Sequence, residues 1–268
     1  MGGLRLEGRS VLLTGATGGI GEAIARALHA RGASLVLSGR RAEVLERLRD
    51  ELGSRAEIEP ADLTDRADVE RLAGRAAAVD VLVANAGLPA SGRLDEFTPD
   101  ELDRALDVNL RAPLQLARAA APAMVERGSG HLVFVSSLAG KVATPGSGLY
   151  SATKFGLRGM AAGLREDLVV HGIGVTTVFP GFIRDAGMFA DADVKLPAGV
   201  GTRTPDEVAA AVVRGIERGK AEVDVAPLAM RAGALLSSIA PVTLAKLQRR
   251  LPSSKLSGDI ARGQANKR

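Results

Sequence analysis

The chain has 268 residues, enough for one large α/β domain or two small ones with a proper core. Hydrophobic residues make up 46% and charged residues 25%, which excludes disorder throughout. There is no cysteine, which excludes disulfides, thiolate catalysis and cysteine-bound metals.

The three histidines, His29, His131 and His171, lie far apart with no ligand spacing, so no metal is expected. The net charge is +4 and unevenly placed. From Lys246 to Arg268 seven basic residues stand against one acidic, Asp259, which leaves residues 1–245 at −2. A mildly negative body argues against nucleic acid as a partner. The basic stretch reads as a solvated terminus or as a contact with an anionic surface. Met1–Ser10 has no apolar core of a signal peptide. No stretch reaches the ~18 uninterrupted apolar residues of a membrane span. The expected location is the cytoplasm.

In chain order, short apolar runs alternate with helix-like stretches. The runs are Val11–Leu13, Leu35–Leu37, Val81–Val83, Leu132–Val135 and Val175–Phe179. Each is too short for a helix, and none alternates with polar residues, as expected of strands buried on both faces. Ile20, Ala23, Ile24, Ala27 and Leu28 form one helical stripe, and Val44, Leu45, Leu48 and Leu52 form another. Residues 99–126 and 148–171 read as two long helices. Residues 182–201 read as an irregular excursion of the kind that serves as a lid. Thr204, Pro205 and Glu207 open a further helix with a capping box. A last short strand is expected near Glu222–Val225. The alternation predicts a single doubly wound parallel β-sheet of Rossmann type, with helices on both faces. It spans residues 1–225, and 226–268 forms a C-terminal extension, apolar then basic, packed on the same domain.

After the first strand comes Thr14-Gly-Ala-Thr-Gly-Gly-Ile-Gly21. Its glycines permit a sharp turn, and the helix that follows offers free N–H groups and partial positive charge to a diphosphate. After the second strand stands Ser38-Gly-Arg-Arg41, with no carboxylate before Glu43. Sites for NAD usually carry Asp or Glu there to hold the ribose 2′-hydroxyl. Arg40 suits a 2′-phosphate instead, so NADP(H) is preferred and NAD(H) is the alternative.

Tyr150 is the only tyrosine, and Lys154 follows four residues later on the same helical face. An ammonium beside a phenol lowers its pKa, which suits proton transfer. Ser137 ends the fourth run, where doubly wound folds place ligands. Asn85 ends the third. Asn109 lies inside an apolar helical pattern, where it is either structural or water-binding.

These motifs, with Asp62-Leu63, Asn85-Ala-Gly87, Tyr150-Ser-Ala-Thr-Lys154 and Pro180-Gly181, resemble the short-chain dehydrogenase/reductase family in its own order over residues 8–225. The resemblance implies a catalytic set of Asn109, Ser137, Tyr150 and Lys154. Asn109 would hold a water in a proton relay, Ser137 would orient the substrate carbonyl, and Lys154 would bind the nicotinamide ribose. It implies cofactor contacts from Gly15, Thr17, Gly19, Ile20, Gly21 and Arg40, and from Asp62 and Leu63 at the adenine. Asn85, Ala86, Gly87, Pro180, Gly181 and the backbone of Ile183 complete that set. One departure stands out. Many relatives have a threonine a few residues after Pro-Gly, whereas here Asp185 occupies the place. A carboxylate there opposes a diphosphate unless Arg184 offsets it or the loop swings away.

The resulting expectation is an NADP(H)-dependent oxidoreductase acting on a small-molecule carbonyl or alcohol, of medium size and apolar, as a homodimer or homotetramer. Two alternatives are a non-catalytic NADP(H)-binding or docking protein, and a membrane-surface reductase of lipid-like carbonyls using the apolar, basic C-terminus.

Overall fold

The computed structural model describes residues 2–190, 201–240, 242 and 262–263. Among these, seven strands form one parallel sheet: β1 Ser10–Thr14, β2 Ser34–Ser38, β3 Ala56–Ile58, β4 Val81–Ala84, β5 Gly130–Val135, β6 Ile173–Pro180 and β7 Glu222–Val225. Their order is β3-β2-β1-β4-β5-β6-β7. The register runs evenly, with Leu12 beside Val36 and Leu82, and Leu132 beside Val175. All residues of β4, β5 and β6 are buried, which explains their apolar runs, with His131, Thr176 and Thr177 as buried polar residues among them.

On one face lie α1 (Gly19–Ala30), α2 (Ala42–Leu52) and α8 (Pro205–Arg218). Their stripes, Ile24, Leu28, Leu45, Leu48, Val212 and Ile216, share a core with Val11, Leu13 and Val83. On the other lie α3 (Arg66–Ala78), α5 (Ala112–Arg127) and α6 (Gly148–Val169), with Leu72, Leu116 and Leu157 against Leu12, Leu82 and Phe134. The capping box at Thr204 is present: Glu207 N–H donates to Thr204 Oγ1 at 3.2 Å and Thr204 N–H to Glu207 Oε2 at 2.8 Å.

Three features differ from the sequence reading. The stretch expected as one helix over 99–126 divides into α4 (Pro99–Leu106), a π-turn (Asp107–Arg111) and α5. The wider turn inserts an extra residue without breaking the helical path, so apolar spacing does not reveal it. β3 and α3 were not anticipated; α3 is capped by Asp65, whose Oδ1 accepts from Ala67 N and Asp68 N. The last long helix ends at Val169, and His171 N–H closes back on Leu168 O at 3.0 Å. Of the excursion expected over 182–201, residues 191–200 lie outside the described residues, as do 243–261 and 264–268 of the C-terminal extension. The described part holds a short turn of helix, α7 (Gly187–Ala190), and a longer one, α9 (Leu228–Ile239).

Candidate active site

The carboxyl ends of β1, β4, β5 and β6 meet where the connections diverge to opposite faces. At the end of β1 the backbone turns through Gly15 at φ +68, and a Cβ added there would stand 2.7 Å from Ala86 Cα. Only glycine meets both demands. The turn is braced from β4. Asn85 Nδ2 donates to Thr14 O at 3.1 Å and Gly15 O at 3.2 Å, and the N–H groups of Asn85 and Ala86 donate to Thr14 Oγ1. Gly18 caps α1 with no side chain. The first-turn N–H groups of α1 are therefore left for an outside acceptor.

At the end of β5, Ser136 Oγ donates to Lys154 O at 3.1 Å, which ties the strand to α6. Ser137 Oγ accepts from Ala139 N–H at 3.1 Å and hydrogen-bonds the Tyr150 hydroxyl. One turn along α6, Lys154 is 2% exposed; its Nζ donates to Val135 O at 3.3 Å and lies 5.6 Å from the centre of the Tyr150 ring.

These positions reverse one expectation. The ammonium stands over the ring, and burial rather than its charge governs the phenol. Burial pushes the Tyr150 phenol up to about 12, against the smaller pull of the Ser137 hydrogen bond. Burial also pulls the Lys154 ammonium down to about 8. Without a further positive charge, Tyr150 is a neutral phenol that holds its proton.

Both side chains open into a cavity of about 540 Å³. Ile20, Asn85 and Gly87 line it toward the α1 turn, and Leu138, Val142 and Phe182 line the apolar side. The roof comes from late in the chain. α7 contributes Met188 and Phe189, and α9 contributes Met230, Gly233 and Ala234. The Met188 methyl stands 3.3 Å from a Cβ built on Gly87, beside Lys154 Nζ, and Ala186 presses on Gly19. The loop base is held by Arg203, whose N–H donates to Phe182 O at 2.9 Å and whose C=O accepts from Arg184 N–H at 2.9 Å.

The family model described as short chain dehydrogenase matches residues 9–195. The chain belongs to the short-chain dehydrogenase family. Nodulation protein G of a Rhizobium species is 42% identical to this dehydrogenase over 185 residues, which is 68% of this chain and 76% of that protein. A ketoacyl reductase of a Nostoc species is 36% identical over 227 residues, covering 82% and 79%. A solved short-chain dehydrogenase from Sphingobium yanoikuyae, in complex with NADPH, is 32% identical at a TM-score of 0.76, covering 88% of this chain and 95% of that one.

In this short-chain dehydrogenase, Ile20, Asn85, Gly87, Ser137, Tyr150, Lys154, Pro180, Gly181 and Ile183 reach the cavity together. Gly15, Thr17, Gly19, Gly21, Ala86, Asp62, Leu63, Arg40 and Asn109 do not line it. Asn109 is wholly buried in the π-turn; its Oδ1 accepts from Leu88 N–H at 2.7 Å and its Nδ2 donates to Leu88 O at 3.0 Å. Its amide thus holds the chain after Gly87, a structural task beside the relay expected of it. Asp62 Oδ1 accepts from the N–H and hydroxyl of Thr64. Arg40 is exposed, whereas Arg41, which the sequence reading set aside, folds back to donate to Thr17 O. Asp185 sits at φ +69, exposed, and pairs with Arg184 at 3.3 Å, so the doubtful carboxylate is offset by its neighbour. Met188 falls in the stretch 182–201 that the sequence reading expected as a lid, and Met230 in the C-terminal extension it expected to pack on the domain, though neither methionine was singled out.

Proposed function

We propose that the protein is an NADP(H)-dependent reductase of apolar carbonyl compounds, working in reverse as an alcohol dehydrogenase. The observation that carries this reading is the Ser137–Tyr150–Lys154 group, half enclosed in one apolar cavity that extends to the α1 turn. The residues present suit a dinucleotide: an uncapped helix start for its diphosphate, glycines where a Cβ would collide, and Arg40 and Arg41 near the turn. The solved relative's complex with NADPH supports the same assignment. When bound, the nicotinamide supplies hydride to the carbonyl carbon.

The protein's part is orientation and proton delivery. Ser137 and Tyr150 present two hydroxyls to one carbonyl oxygen, and Tyr150, protonated at neutral pH, gives it a proton. Loss of that proton leaves a phenolate, which the Lys154 ammonium stabilises across the ring and through the ribose it is expected to hold. Asn109 keeps Leu88 and Gly87 in place beneath this group. The apolar roof excludes water and favours a medium-sized apolar carbonyl. Exposed Leu114 on α5 and Phe155 on α6 support a homodimer or homotetramer through these helices, which light scattering checks.

The deciding experiment is a fluorescence titration with NADPH and NADH, followed by a screen of apolar ketones. Tighter NADPH binding and NADPH oxidation with a ketone are expected. Binding of neither nucleotide by folded protein would turn the reading toward a docking module.

A further inference from the structure

Among the described residues, three glycines line the cavity: Gly87, Gly181 and Gly233. The first two are explained by their neighbours. A Cβ built on Gly87 would stand 3.3 Å from Asn109 Oδ1 and 3.3 Å from the Met188 methyl. One built on Gly181 would stand 3.0 Å from Ala226 Cβ and 3.4 Å from the nearest atoms of Leu138 and Met230. At both places a side chain would crowd the wall of the site.

Gly233 answers to neither tight packing nor a turn. It lies inside α9, and a Cβ there would meet no atom of the described residues within 4 Å. Within a helix, glycine is among the least favourable residues, and almost any other would suit α9 better. What its missing side chain leaves is space, and that space belongs to the cavity. On the same helix Met230 and Ala234 pack with Leu138 and Phe179, so the wall around the gap is apolar. Among the described residues that line the cavity, only Lys154 is charged. A flat ring can lie against bare helix backbone, where a longer side chain would hold it off.

We infer that Gly233 sets the size of carbonyl compound that the protein takes. The larger substituent of the ketone, an uncharged apolar group of ring size, seats against the backbone of α9 at Gly233. That the ligand is a ketone rests on the reductase reading; the size limit rests on the cavity alone.

The test compares the wild type with Gly233→Leu on two ketones, 2-butanone and butyrophenone, with NADPH. The ratio of kcat/KM for butyrophenone to that for 2-butanone should fall about a hundredfold in the variant. Gly233→Ala should lie between the two. The thermal midpoint of free Gly233→Leu should be no lower than that of the wild type, because leucine favours a helix more than glycine does. A second readout needs no turnover. Butyrophenone should raise the thermal midpoint of the wild type and leave that of Gly233→Leu nearly unmoved. An unchanged ratio of kcat/KM would overturn the inference. If the wild type oxidises NADPH with neither ketone, the reductase reading fails, and the thermal shifts alone decide the size limit. Equal shifts in both proteins, or none in the wild type, would then refute it.

Discussion

The two ends of β5 both bury ionisable chemistry, yet they are built to opposite purposes. At the amino end, His131 is 1% exposed and its Nε2 meets Thr176 Oγ1 at 2.8 Å; that hydroxyl donates onward to Lys220 O at 2.6 Å. Burial, reinforced by Arg165, pulls the imidazole down to about 3. Each partner lies within the protein, and none of these groups lines the cavity. At the carboxyl end, Ser137 and Tyr150 share a hydrogen bond, but their hydroxyls face the cavity. The difference teaches that burial alone does not mark a working site. A buried polar group whose partners are complete stabilises one structure, and one left facing a space can act on what enters it.

The largest effect should come from the open end. Tyr150→Phe should lower turnover roughly 10²–10⁴-fold while the affinity for NADPH changes little. Steady-state kinetics beside a binding titration would show it, and a variant that keeps most of its turnover would break the contrast. At the closed end the effect should be on stability, through pH. The folded His131 pKa of about 3 lies below its unfolded value of 6.5, so the unfolded chain takes up the proton first. Stability is fully present above pH 6.5 and falls as the pH drops toward 3, by on the order of 4 kcal/mol. Urea unfolding of wild type and His131→Gln across this window should give curves that converge at low pH; parallel curves would mean that the histidine is not held neutral.

Lys154→Met sharpens the contrast by its sign. The fold depresses the Lys154 pKa from 10.5 to about 8, so its charge costs stability at neutral pH. In the absence of cofactor, the variant should be more stable than wild type by about 1–2 kcal/mol while it loses turnover. Calorimetry showing a fall in stability would place Lys154 with His131 as a structural group. The smallest effect belongs to Arg40, exposed and outside the cavity. Arg40→Ala should weaken NADPH binding by about tenfold and leave NADH binding nearly unchanged.

Much of this was legible from spacing. Five of the seven strands show as apolar runs, because a strand covered on both faces needs no polar alternation, and β7 was expected separately from Glu222–Val225. β3 escaped because Ala-Glu-Ile is short and lies at the sheet edge, half open to water. Ser137, Tyr150 and Lys154 could be named because strand end and helical repeat fix their neighbourhood. The direction of the Tyr150 shift could not, since four-residue spacing does not say how deeply the phenol is buried. Asn109 was legible as an oddity, but its partner Leu88 lies 21 residues away. The methionines of the roof were legible only as parts of segments: Met188 lies in the lid expected over 182–201 and Met230 in the C-terminal extension, and the path of the last loops decides that both meet the cavity.

The pairing of Ile183 with Arg203 has a consequence for how this protein can change. Two backbone hydrogen bonds close the base of the intervening chain before it returns to α8. Alterations between them need not be transmitted to the sheet. Met188 and Phe189, which lie inside this closure and line the cavity, can thus be exchanged to suit a new ligand while the strands, and the hydroxyls they position, stay as inherited.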